Sequence, residues 1–503
     1  MRGDRGALAL VLHSHMPYVE GFGSWPFGEE WLWEAVATVY LPLAELLSEA
    51  EAPLTLGLTP VLCDQLETLP GPAGERLLGF LRETRRIVHE RDGEGLERGG
   101  KPELAAEVRR AGRDYEAAAE ALEGSGLDLL ARLGRLAADG PVELWTSAAT
   151  HAVLPLMASE AGLRLQLATG VASHERRFGA FGGGLWLPEC AYEPGLEREL
   201  ADHGVRAVCL DQTTAHGLGA LEQLEPVLTP AGVVAVPIDW ATVQLVWNGV
   251  GCYPAHPAYR DYHRRTVHDL RPWSNAGEAY RPRAAAALAR EHARDFVERC
   301  IARLDSYAEG RGRAGLLCFA VDTELLGHWW YEGQAWLRGV LEEASVLGLR
   351  LATVSEGVAG IEPLERNPLG SSWGAGKDLS TWDSPLVAEI AFAARRAELR
   401  TVAAVSEAGA RGTPGATAGG APGAIARAAR ELLALQSSDW AFQVSRELAG
   451  DYPLRRVAGH ATANAAALAA IGDGRTGYAS GAVLESALRN LAPDLEPAPL
   501  LAP

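Results

Sequence analysis

No stretch of this chain is apolar over anything near the ~20 residues that cross a bilayer, and no small-residue cleavage pattern follows its first apolar run. That run, inside 1-MRGDRGALALVLHSH-15, is too short for the core of an export signal. Both absences point to a cytoplasmic protein. Cysteine is scarce: Cys63, Cys190, Cys209, Cys252, Cys300 and Cys318 show no CxxC spacing, so neither a disulfide framework nor a zinc knuckle is indicated. Basic residues are outnumbered, 46 against 65 acidic, for a formal net charge of −19. Bulk electrostatics therefore argue against nucleic acid or an anionic membrane as partner and favour a neutral ligand. Missing too are a GxGxxG after a strand and a GxxxxGK[ST] loop, which leaves nucleotide binding with little support. No repeat of 20–50 residues is visible.

The chain has 503 residues, 48% hydrophobic and 22% charged, the balance of a soluble globular protein larger than one ordinary core. Seven short runs read as strands: 7–15, 54–60, 142–151, 184–189, 205–211, 233–240 and 316–324. Amphipathic helical segments such as 29–50 and 158–177 separate most of them, which implies parallel βα units. Polar residues gather at the C-terminal ends of these runs, so the site is expected on that face of a barrel-like α/β fold. Residues 80–137 are charged and helical with a polar break at "RDGEGLERGGK", and read as a helical insertion, a solvated pair with no direct role. From about residue 385 the pattern turns Ala-rich and helical. The expectation is a catalytic unit over 1–368 and an all-α domain over 369–503, with a low-complexity, mobile loop at 406–424.

Acids and histidines end several of the strand runs. His13 and His15 alternate in "LHSHMPY", so on a strand both point to one face. Such a pair fits three uses: ordinary packing, a metal given further ligands, or hydrogen bonds to a polar ligand. His151, ending "WTSAATH", is placed to join them. Glu189 closes "GLWLPE" after Pro188, which suits a strand end because proline has no N–H for a ladder. A carboxylate between Leu187 and Tyr192 needs either an ion-pair partner or a purpose. Asp322 is the matching case in "LLCFAVDTE". Two carboxyls on separate strands facing one cleft are what glycosidic bond cleavage requires, one attacking C1 or activating water, the other protonating the departing oxygen. The 14 Trp are enriched in loops beside these motifs, where flat rings serve either packing or the C–H faces of sugars.

Six motifs taken in order, "LHSHMPYV", "WPFGEEW", "ATHAVLPL", "WLPECAYEPG", "DTELLGHWWYEG" and "SSWGAGKDLSTW", resemble the 1,4-α-glucan branching enzymes of glycoside hydrolase family 57. The later "LQSSDWAFQV…DYPLRRVAGH" is similar to their helical C-terminal domain. The resemblance implies an incomplete (β/α)7 barrel with a helical insertion and a C-terminal all-α domain, and a retaining mechanism without metal or other cofactor. By motif position it implies Glu189 as nucleophile and Asp322 as general acid/base, with carboxyls about 5–5.5 Å apart. It further implies His13, His15 and His151 as sugar contacts at the cleavage point. Trp31, Trp273, Trp373 and Trp382 would line the α-glucan groove, and Asp239, His328 and Trp329 would shape it. Three positions depart from the pattern. No tyrosine lies between Tyr192 and Tyr253, where branching members carry a Tyr on a mobile loop; "PIDW" replaces Arg-Asp-Pro, keeping only Asp239; and Val321 stands where a Tyr is usual. Transfer needs water kept off the covalent intermediate, so the absent Tyr predicts a more open, more hydrolytic site. Rival readings are an α-amylase-like hydrolase, a metal-dependent carbohydrate deacetylase, and a glycogen-binding scaffold without chemistry.

Overall fold

A computed structural model describes residues 5–25, 27–247, 249, 251–410, 423–472 and 488–501. The apolar run at the N-terminus forms strand β1 (Gly6–Ser14), buried along its whole length. Burial on both faces is what a continuous Leu/Val/Ala run predicts for the centre of a parallel sheet. β2 (Leu54–Leu58), β3 (Val142–Ser147) and β4 (Leu185–Trp186) follow on one side of it, all parallel. β5 (Ala207–Leu210), a two-residue β6 (Val227–Leu228) and β7 (Val234–Pro237) form a second sheet, and β8 (Gly315–Asp322) pairs with the other edge of β1. Short strands β9 (Leu351–Ala352) and β10 (Leu364–Glu365) add to β1 and β6. Two isolated parallel bridges, Gly184 to Ala207 and Ile238 to Cys318, close β1-β2-β3-β4-β5-β7-β8 into a ring. The two closures are one residue wide, and each of the seven strand-like runs supplies one stave, the (β/α)7 count that was expected.

Closure also depends on an intimate start to β1. Gly6 has φ +104°, and a Cβ there would stand 1.8 Å from the carbonyl oxygen of Gly315. Only glycine permits that approach between β1 and β8. The resulting register sets His13 beside Asp322 across the two strands and beside Gly57 of β2.

The helical insertion departs from its expected form in two ways. The helix Arg85–Arg98 runs straight through "RDGEGLER", and the break is confined to the turn before the helix Pro102–Gly124. Nor is the pair merely solvated: Asp92 and Glu107 are buried against the loop 256–280. Asp92 accepts hydrogen bonds from Thr266 and from His268 Nδ1 (2.6 Å), and Glu107 pairs with Arg260 at 2.7 Å.

The helices Ala388–Ala410, Gly423–Leu435, Ser438–Ser445 and Tyr452–Gly472 form a second core, which also takes in Tyr18, Val61, Val153 and Ala191 from the barrel. Of the expected loop 406–424, residues 406–410 and 423–424 are helical and 411–422 lie outside the described residues. The segment 488–501 straps back onto the barrel. Arg177, almost wholly buried, pairs with Asp64 and Glu67 at 2.7 Å each, and Asp64 Oδ2 accepts the Ala492 N–H at 2.8 Å. Removing one partner of a buried ion pair leaves an uncompensated charge. Arg177→Met should therefore lower stability by about 3–5 kcal/mol in denaturant unfolding, whereas Arg176→Met, at the more exposed neighbour, should cost far less.

Candidate active site

β4 is short because Pro188 ends it, and the chain then turns through left-handed backbone at Glu189 (φ +61°) and Cys190 (φ +49°). His151, after β3, has φ +58°. Non-glycine residues in this region carry strain of order 1–3 kcal/mol each and persist only where the surroundings over-determine them. Here the surroundings are hydrogen bonds. The Glu189 carbonyl accepts from Trp373 N at 2.9 Å, its Oε2 from Trp373 Nε1 at 3.0 Å, and its Oε1 from Ser438 Oγ at 2.7 Å. Burial pushes the Glu189 carboxyl above its ordinary value, against the pull of those two side-chain donors.

Ser438 opens a C-terminal helix, and the residues before it lie directly on the barrel: Ser437 bridges Ala152, and Ser438 N donates to the His151 carbonyl at 3.2 Å. Because the Ser438 hydroxyl donates to Glu189, it accepts from His151 Nδ1 at 2.9 Å. His151 Nε2 must then accept from His13 Nε2, 3.0 Å away, and both rings stay neutral because burial holds them well below the usual histidine value. His13, His151 and Ser438 thus form a one-way chain of donors that ends on Glu189. Trp186 stacks on the His13 ring at 4.6 Å and His15 stacks on His151 at 4.0 Å, which fixes the ring planes.

Asp322 ends β8, and no side-chain hydrogen bond is made to it among the described residues. Burial, then the charges of Glu324, Glu189 and Asp439, push its carboxyl well above the ordinary value. Glu324 is held at Oε1 by the Tyr40 hydroxyl (2.5 Å) and His15 N (3.1 Å), and is pushed up to about 7, chiefly by burial. Burial alone would lower His15, but Asp439, with Oδ2 2.9 Å from Nε2, together with the charges of Glu324 and Glu189 outweighs it and the imidazole is raised. Reciprocally, and against its own burial, Asp439 is brought down to about 2. Three carboxyls, Glu189, Asp322 and Glu324, are thus biased toward the protonated form and Asp439 is held ionised, and what separates Glu189 from Asp322 is the pair of donors on the Glu189 oxygens.

The other expected residues sort by place. Trp373 is at the centre, bonded to Glu189 and tilted against Trp186. Trp382 is buried and lines a crevice with Met157 and the same Ser438. Trp31 lies between Phe27 and Tyr452, at the seam of the two cores. Trp273 is buried in a hairpin under the Arg264 guanidinium, 4.7 Å from its ring, with no contact to either carboxyl. Asp239 is fully buried, and its Oδ1 accepts from Arg303 Nε (3.0 Å) and Nη2 (2.8 Å), an ion pair that ties an outer helix to the barrel wall. His328 and Trp329 extend from the turn after Asp322. Ser438, Asp439, Glu324 and Tyr40 were not expected. The signal for the first two is "LQSSDW", four consecutive polar residues interrupting an apolar helical pattern.

Residues 9–366 match the profile of glycosyl hydrolase family 57. The chain belongs to that family. Its residues 397–493 match the C-terminal domain of 1,4-alpha-glucan branching enzymes. Among family 57 relatives, the 1,4-alpha-glucan branching enzyme of Thermococcus kodakarensis is 33% identical over 91% of this chain and 72% of its own length. A probable 1,4-alpha-glucan branching enzyme of Mycobacterium tuberculosis is 33% identical over 93% of each. The crystal structure of the family 57 branching enzyme of Pyrococcus horikoshii superposes with a TM-score of 0.84 at 27% identity, covering 99% of this chain and 97% of that one. An α-amylase of Thermotoga maritima shares the fold, with a TM-score of 0.78 at 24% identity over 94% of each chain.

Within this family 57 site the ring nitrogens of His15 and His151 are spent on Thr59, Asp439, Ser438 and His13. Among the described residues no group of three His, Cys, Asp or Glu side chains is arranged to hold a metal ion. Trp373→Phe keeps the ring and removes the N–H at Glu189 Oε2. A hydrogen bond to a charged group contributes about 1.5–3 kcal/mol, so kcat should fall about tenfold to a hundredfold. Since that donor holds the carboxyl down, the acid limb of the pH–rate profile should move to higher pH.

Proposed function

We propose that this chain is a 1,4-α-glucan branching enzyme in which Glu189 is the nucleophile and Asp322 the general acid/base. A carboxyl of Glu189 attacks C1 of an α-1,4-linked glucose while Asp322 protonates the leaving glucosyl oxygen. Asp322 then takes the proton from the 6-hydroxyl of an acceptor glucan, whose oxygen displaces Glu189 and forms the α-1,6 branch. The observation that carries this reading is the pairing of their environments. Glu189 has a donor on each oxygen, ready for its charge, while Asp322 has none and feels the charge of Glu189. The involvement of Ser438, from the region matching the branching-enzyme C-terminal domain, supports assigning the two parts, 1–368 and 369–503, to one catalytic machine.

Hydrolysis is the second reading, and one observation favours a share of it. Where branching relatives are expected to carry a Tyr on a mobile loop, β6 and β7 form a hairpin with a "TPAG" turn, paired on its far side to β10. Nothing in that hairpin is long or aromatic enough to cover an intermediate. NMR of products from amylose decides between them: α-1,6 anomeric protons in excess of new reducing ends are expected, and reducing ends without α-1,6 signals would leave only the hydrolase. Among the described residues no helix is long and apolar enough to cross a membrane, and a cytoplasmic enzyme acting on intracellular α-glucan is the reading we adopt.

A further inference from the structure

The two tryptophans after Asp322 part company. Trp330 turns inward and is 2% exposed, whereas Trp329 is 46% exposed. Trp329 is not a stray ring, because Tyr262 lies parallel to it, with centroids 5.1 Å apart and planes 22° apart. Tyr262 is in turn braced by the guanidiniums of Arg271 at 4.0 Å and Arg265 at 5.3 Å. His328 stands edge-on to both rings, 5.8 Å from Trp329 and 6.3 Å from Tyr262. Burial and the two arginines bring its imidazole down to about 3, so it is neutral, with one donor and one acceptor. No side-chain hydrogen bond uses either nitrogen among the described residues.

This cluster is rooted at both ends. Trp329 N donates to the Glu324 carbonyl at 3.3 Å and Arg271 to the His328 carbonyl at 3.2 Å, so the cluster is built on the turn that carries Asp322 and Glu324. Tyr262 sits on the loop that the helical insertion grips through Asp92 and His268. An exposed indole, Trp329, backed by Tyr262 and with a neutral polar group at its edge suits one class of ligand: sugars, whose C–H faces lie on the ring and whose hydroxyls need bonds in the ring plane.

We propose that Tyr262, His328 and Trp329 form the binding site for the acceptor α-glucan chain, on the leaving-group side of Asp322. This rests on the reading of Asp322 as the general acid/base. Such a residue must touch the oxygen that departs and then the hydroxyl that replaces it, so the surface growing from its own turn flanks the leaving and incoming chains. Trp373 and Ser438 sit instead against Glu189, and Trp382 shares a crevice with Ser438. The insertion thereby gains a task, holding the loop that presents Tyr262.

The test measures α-1,6 linkages against new reducing ends on amylose for Trp329→Ala, Tyr262→Ala and Tyr262→Phe. The two alanine variants should lower the ratio by about fivefold to tenfold, and Tyr262→Phe, which keeps the ring, should retain it. Trp329→Ala and Tyr262→Ala at the wild-type ratio would overturn the proposal. Binding of maltoheptaose by calorimetry, in a Glu189→Gln background that stops turnover, reads the platform separately. Weaker binding in the alanine variants supports it, and equal binding overturns it. A wild-type enzyme that makes no α-1,6 linkage overturns the branching function, whatever the calorimetry returns.

Discussion

Glu189→Ala should lower turnover of amylose on the order of 10⁴-fold or more, and azide should restore part of it. The native carboxyl attacks C1 from the face opposite the leaving chain, so an anion small enough to fill the vacated space attacks from the same face. The product from an α-glucan donor would be a β-glycosyl azide. Asp322→Ala keeps its nucleophile, so on an aryl α-glycoside, whose leaving group needs no proton, azide would instead capture the covalent intermediate and give the α-glycosyl azide. The opposite anomers make the assignment of roles separable by NMR of one product. Exchanged anomers between the two variants would exchange the roles, and full activity in Glu189→Ala would remove it from the chemistry. The alanine variant strands the Trp373 and Ser438 donors, a cost of about 1–3 kcal/mol each when buried. Glu189→Gln preserves the shape and serves as the check that lost activity is not lost folding.

What could be read without coordinates follows the range of the interactions involved. β1 and β8 were legible because the six-residue apolar runs 7–12 and 316–321 are local signals of buried parallel strands. Glu189 and Asp322 were legible because an acid ending such a stretch is costly without a purpose. Ser438 and Asp439 were not singled out because their partners lie 249 and 424 residues away, and only the docking of two cores brings them together. The partner of Asp239 was hidden for the same reason: nothing local shows that Arg303, on a helix 64 residues later, will reach it. The glycines of "RDGEGLER" argue for a break, yet the helix continues because its Asp92 and His89 are buried against other elements, and tertiary packing outweighs propensity. β6, β9 and β10 have two residues each, below the length at which any periodicity can be seen.

Asp322→Asn should lose activity and gain stability at neutral pH. The activity loss follows from proton transfer, which contributes about 10²–10⁴-fold. It should be large on amylose and small for the first step on an aryl glycoside whose leaving group needs no proton. The stability gain follows from linkage. The Asp322 carboxyl is raised well above its ordinary value by burial and by Glu324, Glu189 and Asp439. A raised carboxyl favours the folded state while protonated, so that contribution is complete below the unfolded value of about 4. It is lost as pH rises through the folded value. Wild type should therefore become progressively less stable over that window, in which Glu324, pushed up to about 7, moves the same way. The asparagine variant has no proton to lose at 322 and relieves the repulsion on Glu324. Unfolding midpoints of the two proteins should thus coincide near pH 4 and separate in favour of the variant by pH 7, by about 1.4 kcal/mol for each pH unit by which Asp322 is displaced. Parallel stability curves across that range would mean that Asp322 titrates like an ordinary surface acid, and it would then be ionised, and useless as a proton donor, at the pH where a glucan must be cut.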